Sequence, residues 1–312
     1  MHKDISQFFE QFLYEAEFIK KLRPETIRGY TNTYLTFTKL VPNLSSVDDI
    51  TSQTLSHFFK TLQERKRFVG KGIIKTGIKR STAASYWCKL NAFFSWLALK
   101  GHIKESPFKA MKYPSPSYDD KKYLQEDEIE RILAALHVTH TGSTLLYKRN
   151  LAIFHLFLFC GLRKEEVMLL QLRDIDFGRK LITIRSDTSK SGRTRQIPLH
   201  TTTILHLKDY LVERKGYKTQ YLIVSSTQDE GLRHEGFRHL IDRIRRLSGV
   251  RFHWHQLRHT FAVNFLRATN NIFKLKVLLG HQDIRVTTIY LRCLPPEELR
   301  GDIEAMRIDS FL

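Results

Sequence analysis

The sequence predicts a protein of two parts: an all-α N-terminal domain over residues 1–113, and a mainly α C-terminal domain over residues 123–312 that carries a small antiparallel β-sheet. Three observations predict it. Apolar residues recur at helical spacing through most of residues 5–99. The run is then interrupted by Tyr113-Pro114-Ser115-Pro116-Ser117-Tyr118-Asp119-Asp120-Lys121-Lys122, where two prolines and a polar, charged stretch make residues 114–122 a linker. Between residues 175 and 199 the apolar period falls to that of strands, and after Thr201 it returns to that of helices.

Taken in order, helices are expected over residues 5–19, 26–40, 52–63 and 82–99, with Thr51 as the N-cap of the third. Between the third and fourth lies a glycine-punctuated segment, residues 65–80, that holds Arg65, Lys66, Arg67, Lys71, Lys75, Lys79 and Arg80 and no carboxylate. It reads as a flexible loop. A one-sided cluster of cations on such a loop suits a phosphate backbone, whereas any single lysine there is as well explained by solvation. The second part opens with helices over residues 126–136 and 151–160, the latter ended by Gly161, and a further helix runs through Leu170. Short strands follow at residues 175–177, 181–185 and 194–199, with Gly178 and Ser191-Gly192 as turns. From Thr201 to Ser310 the pattern is helical again.

Composition narrows the function classes. The 312 residues include 51 Lys+Arg against 32 Asp+Glu, a formal net charge of +19, which points to a polyanionic partner and first to nucleic acid. The charge is spread over both parts, with 19 basic and 9 acidic residues in 1–113 and 32 and 23 in the remainder. Hydrophobic residues at 42% and aromatics at 12% exclude global disorder, and the length exceeds one ordinary core. No apolar run approaches the roughly 18 to 20 residues that span a bilayer, and Met1-His2-Lys3-Asp4 lacks a signal segment. The expectation is a cytoplasmic, nucleoid-associated protein without membrane contact. Cys88, Cys160 and Cys293 are odd in number and scattered, which fits neither a disulfide framework nor a thiol metal site.

Four segments place polar residues at the edges of apolar elements. In Cys160-Gly161-Leu162-Arg163-Lys164-Glu165-Glu166, Gly161 breaks one helix and Arg163 opens the next, with Glu166 three residues on and on the same face. The hairpin around Ser189-Lys190-Ser191-Gly192-Arg193 puts Lys190 at a turn. In His253-Trp254-His255-Gln256-Leu257-Arg258-His259, His255 and Arg258 share a helical face. The three histidines invite a zinc reading, but no cysteine or nearby carboxylate completes a tetrahedral set, so no metal is expected. In Leu278-Leu279-Gly280-His281, Gly280 is a candidate helix C-cap with His281 just beyond it, and Tyr290 ends a β-branched run nine residues later. Taken singly, each of these residues is as well explained by packing or solvation as by chemistry.

Together the four segments resemble the tyrosine recombinase family, the phage-integrase and Xer-type enzymes. The matching residues are Gly161-Leu162-Arg163 with Glu166, Lys190 followed eight residues later by Pro198, the box from His255 to Arg258, Leu279-Gly280-His281, and Tyr290. Order and spacing agree, and the similarity extends into the N-terminal helices. Cys160 stands where small polar residues are commoner, and the lysine hairpin is less rich in glycine and lysine than the family form.

The resemblance implies the tyrosine recombinase fold, an N-terminal core-binding domain that clamps DNA with the catalytic domain, and cleavage and rejoining of strands through a 3′-phosphotyrosyl intermediate. Tyr290 would be the nucleophile, Arg163 and Arg258 would grip the phosphate oxygens, and Lys190 would protonate the leaving 5′-oxygen. His281 would donate to the phosphate, and His255 is the base candidate. Glu166 and His259 would support these groups, although a packed core histidine equally explains His259. No cofactor is needed, because the covalent link conserves bond energy.

The implied partner is double-stranded DNA with inverted half-sites. The apolar tail residues Leu299, Ile303, Met306, Phe311 and Leu312 would join protomers into a homo-tetramer, and a partner recombinase or directing protein is compatible. Competing readings are relaxation of supercoils by a type IB topoisomerase-like enzyme and a DNA-binding regulator without catalysis. A regulator would be expected to lack Tyr290 or an arginine of the set.

Overall fold

The computed structural model describes residues 4–41, 44, 46–69, 72–114, 123–138, 143–294, 297 and 300–304. The chain divides into two compact units, Met1–Asp119 and Asp120–Leu312. Lys71, most of the expected linker and most of the C-terminal tail lie outside the described residues.

The first unit is built on helices α1 (Ile5–Tyr14), α2 (Pro24–Leu40), α3 (Ser52–Glu64) and α4 (Arg80–Leu99). Asp4 caps α1 by accepting from the Ser6 amide, and the Thr51 and Thr54 side chains form a reciprocal capping box on α3. The helices meet in an aromatic core. Phe9 stacks on Tyr34 at 3.8 Å and meets Phe93 edge-on at 5.2 Å, while Phe37 and Phe58 pack edge to face at 5.1 Å. After α1 the chain makes a π-helical turn, Glu15–Ile19, whose Glu15 carboxylate accepts from Trp96 Nε1 at 2.9 Å and Lys100 Nζ at 2.7 Å.

The basic segment departs from expectation. It is a β-hairpin, β1 (Lys66–Phe68) paired antiparallel with β2 (Ile74–Thr76), so this unit is not wholly helical. The cause is local: Ile73, Ile74 and Thr76 favour extended backbone, and Gly77 closes the base at φ +69°, donating its amide to the Arg65 carbonyl at 2.9 Å. A Cβ at position 77 would lie 2.3 Å from the Gln63 carbonyl oxygen, so only glycine fits. Arg67 Nε donates to the Gly77 carbonyl at 2.7 Å and pins the turn.

The second unit surrounds α6 (Thr144–Cys160), which is buried along most of its length from Arg149 onward. α6 begins seven residues earlier than the apolar run suggests, because the Ser143 hydroxyl accepts the Leu146 amide and caps it there. Its neighbours are α5 (Glu126–Val138), α7 (Lys164–Leu169), α8 (Thr201–Glu213), α9 (His234–Ser248) and α10 (Trp254–Thr269), followed by α11 (Ile272–Leu279) and α12 (Arg285–Thr288). The sheet is β3 (Ile175–Asp176), β4 (Leu181–Ile184) and β5 (Arg195–Pro198), antiparallel in that order, with Ile182 facing Ile197 and Ile184 facing Arg195.

One stretch differs from the helical expectation. Between α8 and α9 the backbone is held in an irregular path by buried Arg214, whose guanidinium donates to the carbonyls of Thr219, Tyr221 and Leu222. The Asp229 carboxylate accepts the amides of Lys218 and Thr219. These contacts hold the backbone of this stretch in place outside any helix.

Candidate active site

Arg163, Lys190, His255, Arg258, His281 and Tyr290 line one open pocket of roughly 450 Å³ in the second unit, with His259 beside Tyr290. Residues spread over more than 120 positions are brought together by helix ends. Gly161 ends α6 and Gly280 ends α11, both in the left-handed conformation, at φ +61° and +64°. A Cβ on Gly161 would stand 2.3 Å from the Phe261 ring, so this turn requires glycine twice over.

These two helix ends hold Arg258. Its side chain is 1% exposed; Nη1 donates to the Gly161 carbonyl at 2.6 Å, and Nη2 donates to the Leu279 carbonyl at 2.8 Å and to His281 Nε2 at 3.2 Å. Helix C-termini are partly negative and favour a cation. Burial, and next the nearby Arg163, push the Arg258 guanidinium down to about 9, which leaves it cationic at neutral pH. Its Nε is buried and has no hydrogen-bond partner among the described residues.

Glu166 is the counterweight. It is 1% exposed, accepts the Arg163 amide and Nη1 at 2.9 Å each, and takes a two-pronged contact from Arg195 at 2.9 and 2.8 Å. Arg258 Nη1 lies 3.9 Å away. Burial raises the carboxyl, but the contacts from Arg195 and Arg163 outweigh it and hold the group at about 2. Arg195 also donates Nε to the Leu278 carbonyl at 2.9 Å, fixing the end of α11.

Sequence reasoning missed Arg195. The available signal was the alternation in β5, which puts position 195 on the same face as buried Ile197, so a charge there needs a buried partner. It missed Thr287 as well, a fully buried residue whose hydroxyl meets His281 Nδ1 at 2.9 Å.

His281 is neutral. Burial first, then Arg258, Arg163, Arg195 and His255, push its imidazole down to about 3. A guanidinium only donates, so Nε2 accepts from Arg258 and the ring proton sits on Nδ1, directed at Thr287. Lys190 lies exposed on the loop between β4 and β5, which Gln282 ties down by donating to the Ser191 carbonyl at 3.0 Å.

Tyr290 is 3% exposed within an apolar cluster that includes Phe261, Leu266, Leu275 and Leu279. Burial raises its phenol above the ordinary value, against a lowering by Arg258 and Arg163. Its hydroxyl lies 3.0 Å from Nδ1 of His259, which is 6% exposed and stands one turn along α10 from His255. Of the DNA-contact candidates, Lys66, Lys75, Lys79 and Arg80 are exposed; Arg65 and Arg67 are half-buried, and Arg67 is engaged in closing the hairpin.

Residues 122–295 match the phage integrase family, more than half of the chain, and the chain belongs to it: it is a tyrosine recombinase, an enzyme that breaks and rejoins DNA strands. Similar proteins include the tyrosine recombinase XerC of Oceanobacillus iheyensis, 24% identical over 292 residues that cover 91% of this chain and 90% of that one. The XerD recombinase of Listeria innocua is 27% identical over 296 residues, 92% and 94% of the two chains. The fold is shared with the Tn1549 transposon integrase, solved in complex with transposon right-end DNA, with a TM-score of 0.76 at 17% identity over 97% of this chain and 99% of that one.

Proposed function

We propose that this recombinase cuts one strand of each duplex site by in-line attack of Tyr290 on the scissile phosphate. The link is 3′-phosphotyrosyl, and a free 5′-hydroxyl is left to rejoin to a new partner. The observation that carries the reading is the single pocket that gathers Arg163, Lys190, His255, Arg258, His281 and Tyr290. Arg163 and Arg258 grip the non-bridging oxygens as charge develops, where planar, permanently charged donors are most effective. Lys190, exposed on a tethered loop, protonates the 5′-oxygen. His281 enters as an acceptor from Arg258, and it donates to the phosphate only after Nε2 has gained a proton under the field of the incoming anion. Glu166 holds the guanidinium groups of Arg163, Arg195 and Arg258 close together against their mutual repulsion.

Duplex DNA with inverted half-sites is the proposed substrate, and the cations of the β1–β2 hairpin are proposed to contact its backbone. The relatives and the structural neighbour are named as recombinases or bound to DNA, which supports that partner. Assembly as a tetramer through the tail, cooperation with a second recombinase or directing protein, and residence in the cytoplasm on the nucleoid belong to the same proposal. No helix of the described residues is long and apolar enough to cross a membrane.

Covalent trapping tests the reading. The protein is incubated with fragmented genomic DNA and denatured with detergent, and protein-linked ends are sequenced, with Tyr290→Phe as control. The expected result is linked ends that converge on one inverted-repeat site and vanish in the control. Linked ends that persist undiminished in Tyr290→Phe would overturn it.

A further inference from the structure

We propose that His259 takes the phenol proton of Tyr290 during cleavage and that His255 passes it on to solvent, so that a two-histidine relay serves the nucleophile. The inference rests on Tyr290 being that nucleophile. A tyrosine oxygen can attack phosphorus only as its proton departs, and Tyr290 is 3% exposed with a histidine nitrogen within hydrogen-bond reach of its hydroxyl. The charged groups that bear on it most are Arg258 and Arg163, which stabilise a phenolate but cannot accept a proton. Cys293, half-buried on the turn after Tyr290, also bears on the phenol, and its charge would oppose ionisation.

His259 has the geometry of an acceptor. Nδ1 stands 3.0 Å from the hydroxyl oxygen, within the reach a general base requires in the resting state. With the phenol as donor, the proton of the neutral ring is on Nε2. His255, four residues earlier on α10 and therefore on the same face, meets the His259 ring edge-on with centroids 4.4 Å apart, and His255 is exposed in the pocket. A buried phenol hydrogen-bonded to a buried imidazole, and that imidazole in ring contact with an exposed one, is the order a relay to the pocket needs.

The step balances. The bond from Tyr290 oxygen to phosphorus forms as the bond from phosphorus to the 5′-oxygen breaks. The phenol proton moves to His259, and the 5′-oxygen receives a proton from Lys190. The proton on His259 leaves through His255 to solvent; in rejoining, the 5′-hydroxyl attacks, a proton drawn back from solvent through His255 and His259 reaches the departing phenolate, and Lys190 recovers its own.

The test is single-turnover formation of the covalent complex from pH 5.5 to 9.5 on a duplex of the trapped site, nicked beside the scissile phosphate. A second substrate carries sulfur at the bridging 5′ position, which leaves without protonation. His259→Asn retains an acceptor near the Nδ1 position but cannot take up the proton. It is expected to slow cleavage about 100-fold or more at neutral pH, to make the rate climb with hydroxide where the wild type has levelled off, and to remain slow on the sulfur substrate. Lys190→Ala is expected to be rescued by that substrate. His259→Asn within about threefold of wild type with an unchanged pH profile would overturn the proposal, as would its rescue by sulfur. A readout on the unaltered protein needs no variant: the ¹⁵N shift of His259 Nδ1 at pH 8 is expected to be that of an unprotonated nitrogen, and a protonated Nδ1 there would also overturn it. Covalent complex formed by Tyr290→Phe would instead remove the nucleophile assignment itself.

Discussion

Replacing Glu166 by Gln removes one buried negative charge from among three guanidinium groups while preserving shape. Each pH unit is worth about 1.36 kcal/mol, so a carboxyl held at about 2 against an ordinary 4.5 stabilises the folded state by roughly 3 kcal/mol. An independent route agrees: breaking a buried ion pair costs about 3–5 kcal/mol, and the partial exposure of Arg163, 19% against 8% for Arg195, places the loss at the lower end. The sign follows from the depressed value. The contribution is complete above pH 4.5 and fades as pH falls toward 2, so the gap between wild type and Glu166→Gln should close over that window. Urea denaturation of protein labelled with 5-fluorotryptophan reads this out. The ¹⁹F signal of Trp254, packed at 4.9 Å against Phe157 in the second unit, reports that unit apart from Trp87 and Trp96 in the first. A gap below about 1 kcal/mol at pH 7, far short of a buried-pair loss, or a gap that is constant from pH 7 to pH 3, would refute the electrostatic reasoning.

Two further outcomes are expected. Gly161→Ala combines a left-handed residue, about 1–2 kcal/mol, with a Cβ against the Phe261 ring, about 1–3 kcal/mol. Gly192→Ala, at φ +65° with nothing within 4 Å of the added Cβ, incurs only the first cost. Thermal melts should therefore show the larger drop for Gly161→Ala, and equal drops would refute the close-approach argument. If Lys66 and Lys75 each neutralise a phosphate, replacing both by Ala lowers the slope of log affinity against log salt by about 1.8. Titrations from 50 to 200 mM salt on duplex DNA check this, and an unchanged slope would remove the hairpin from the interface.

The sequence made the six catalytic-type positions legible because they sit in short local boxes: Arg163 and His281 each follow a left-handed glycine at a helix end, His255 and Arg258 share one face of α10, Lys190 lies at a turn and Tyr290 follows a β-branched run. It did not make Arg195 legible as a site residue, since its partner Glu166 lies 29 positions away and the strand that carries it is only four residues long. The hairpin at Lys66 to Thr76 was obscured by its charge, which reads as solvation until the pairing is seen. The irregular path after α8 depends on one buried guanidinium, Arg214, whose carbonyl partners no periodicity reveals.

What joins the boxes is more specific than their common pocket. Gly161 and Gly280 are both helix caps, and the carbonyls freed at those two ends, from Gly161 and Leu279, converge on one side chain, Arg258, from 97 and 21 positions away. Each box therefore contributes twice, once through the carbonyl that seats Arg258 and once through the side chain that follows, Arg163 or His281. Glycine is required at both places for a backbone reason, and the pocket side chains that follow inherit their positions from it. A substitution at either cap is thus expected to act on Arg258 first and on its own neighbour second, which is why Gly161→Ala, far from being a loop change, should disturb the floor of the site.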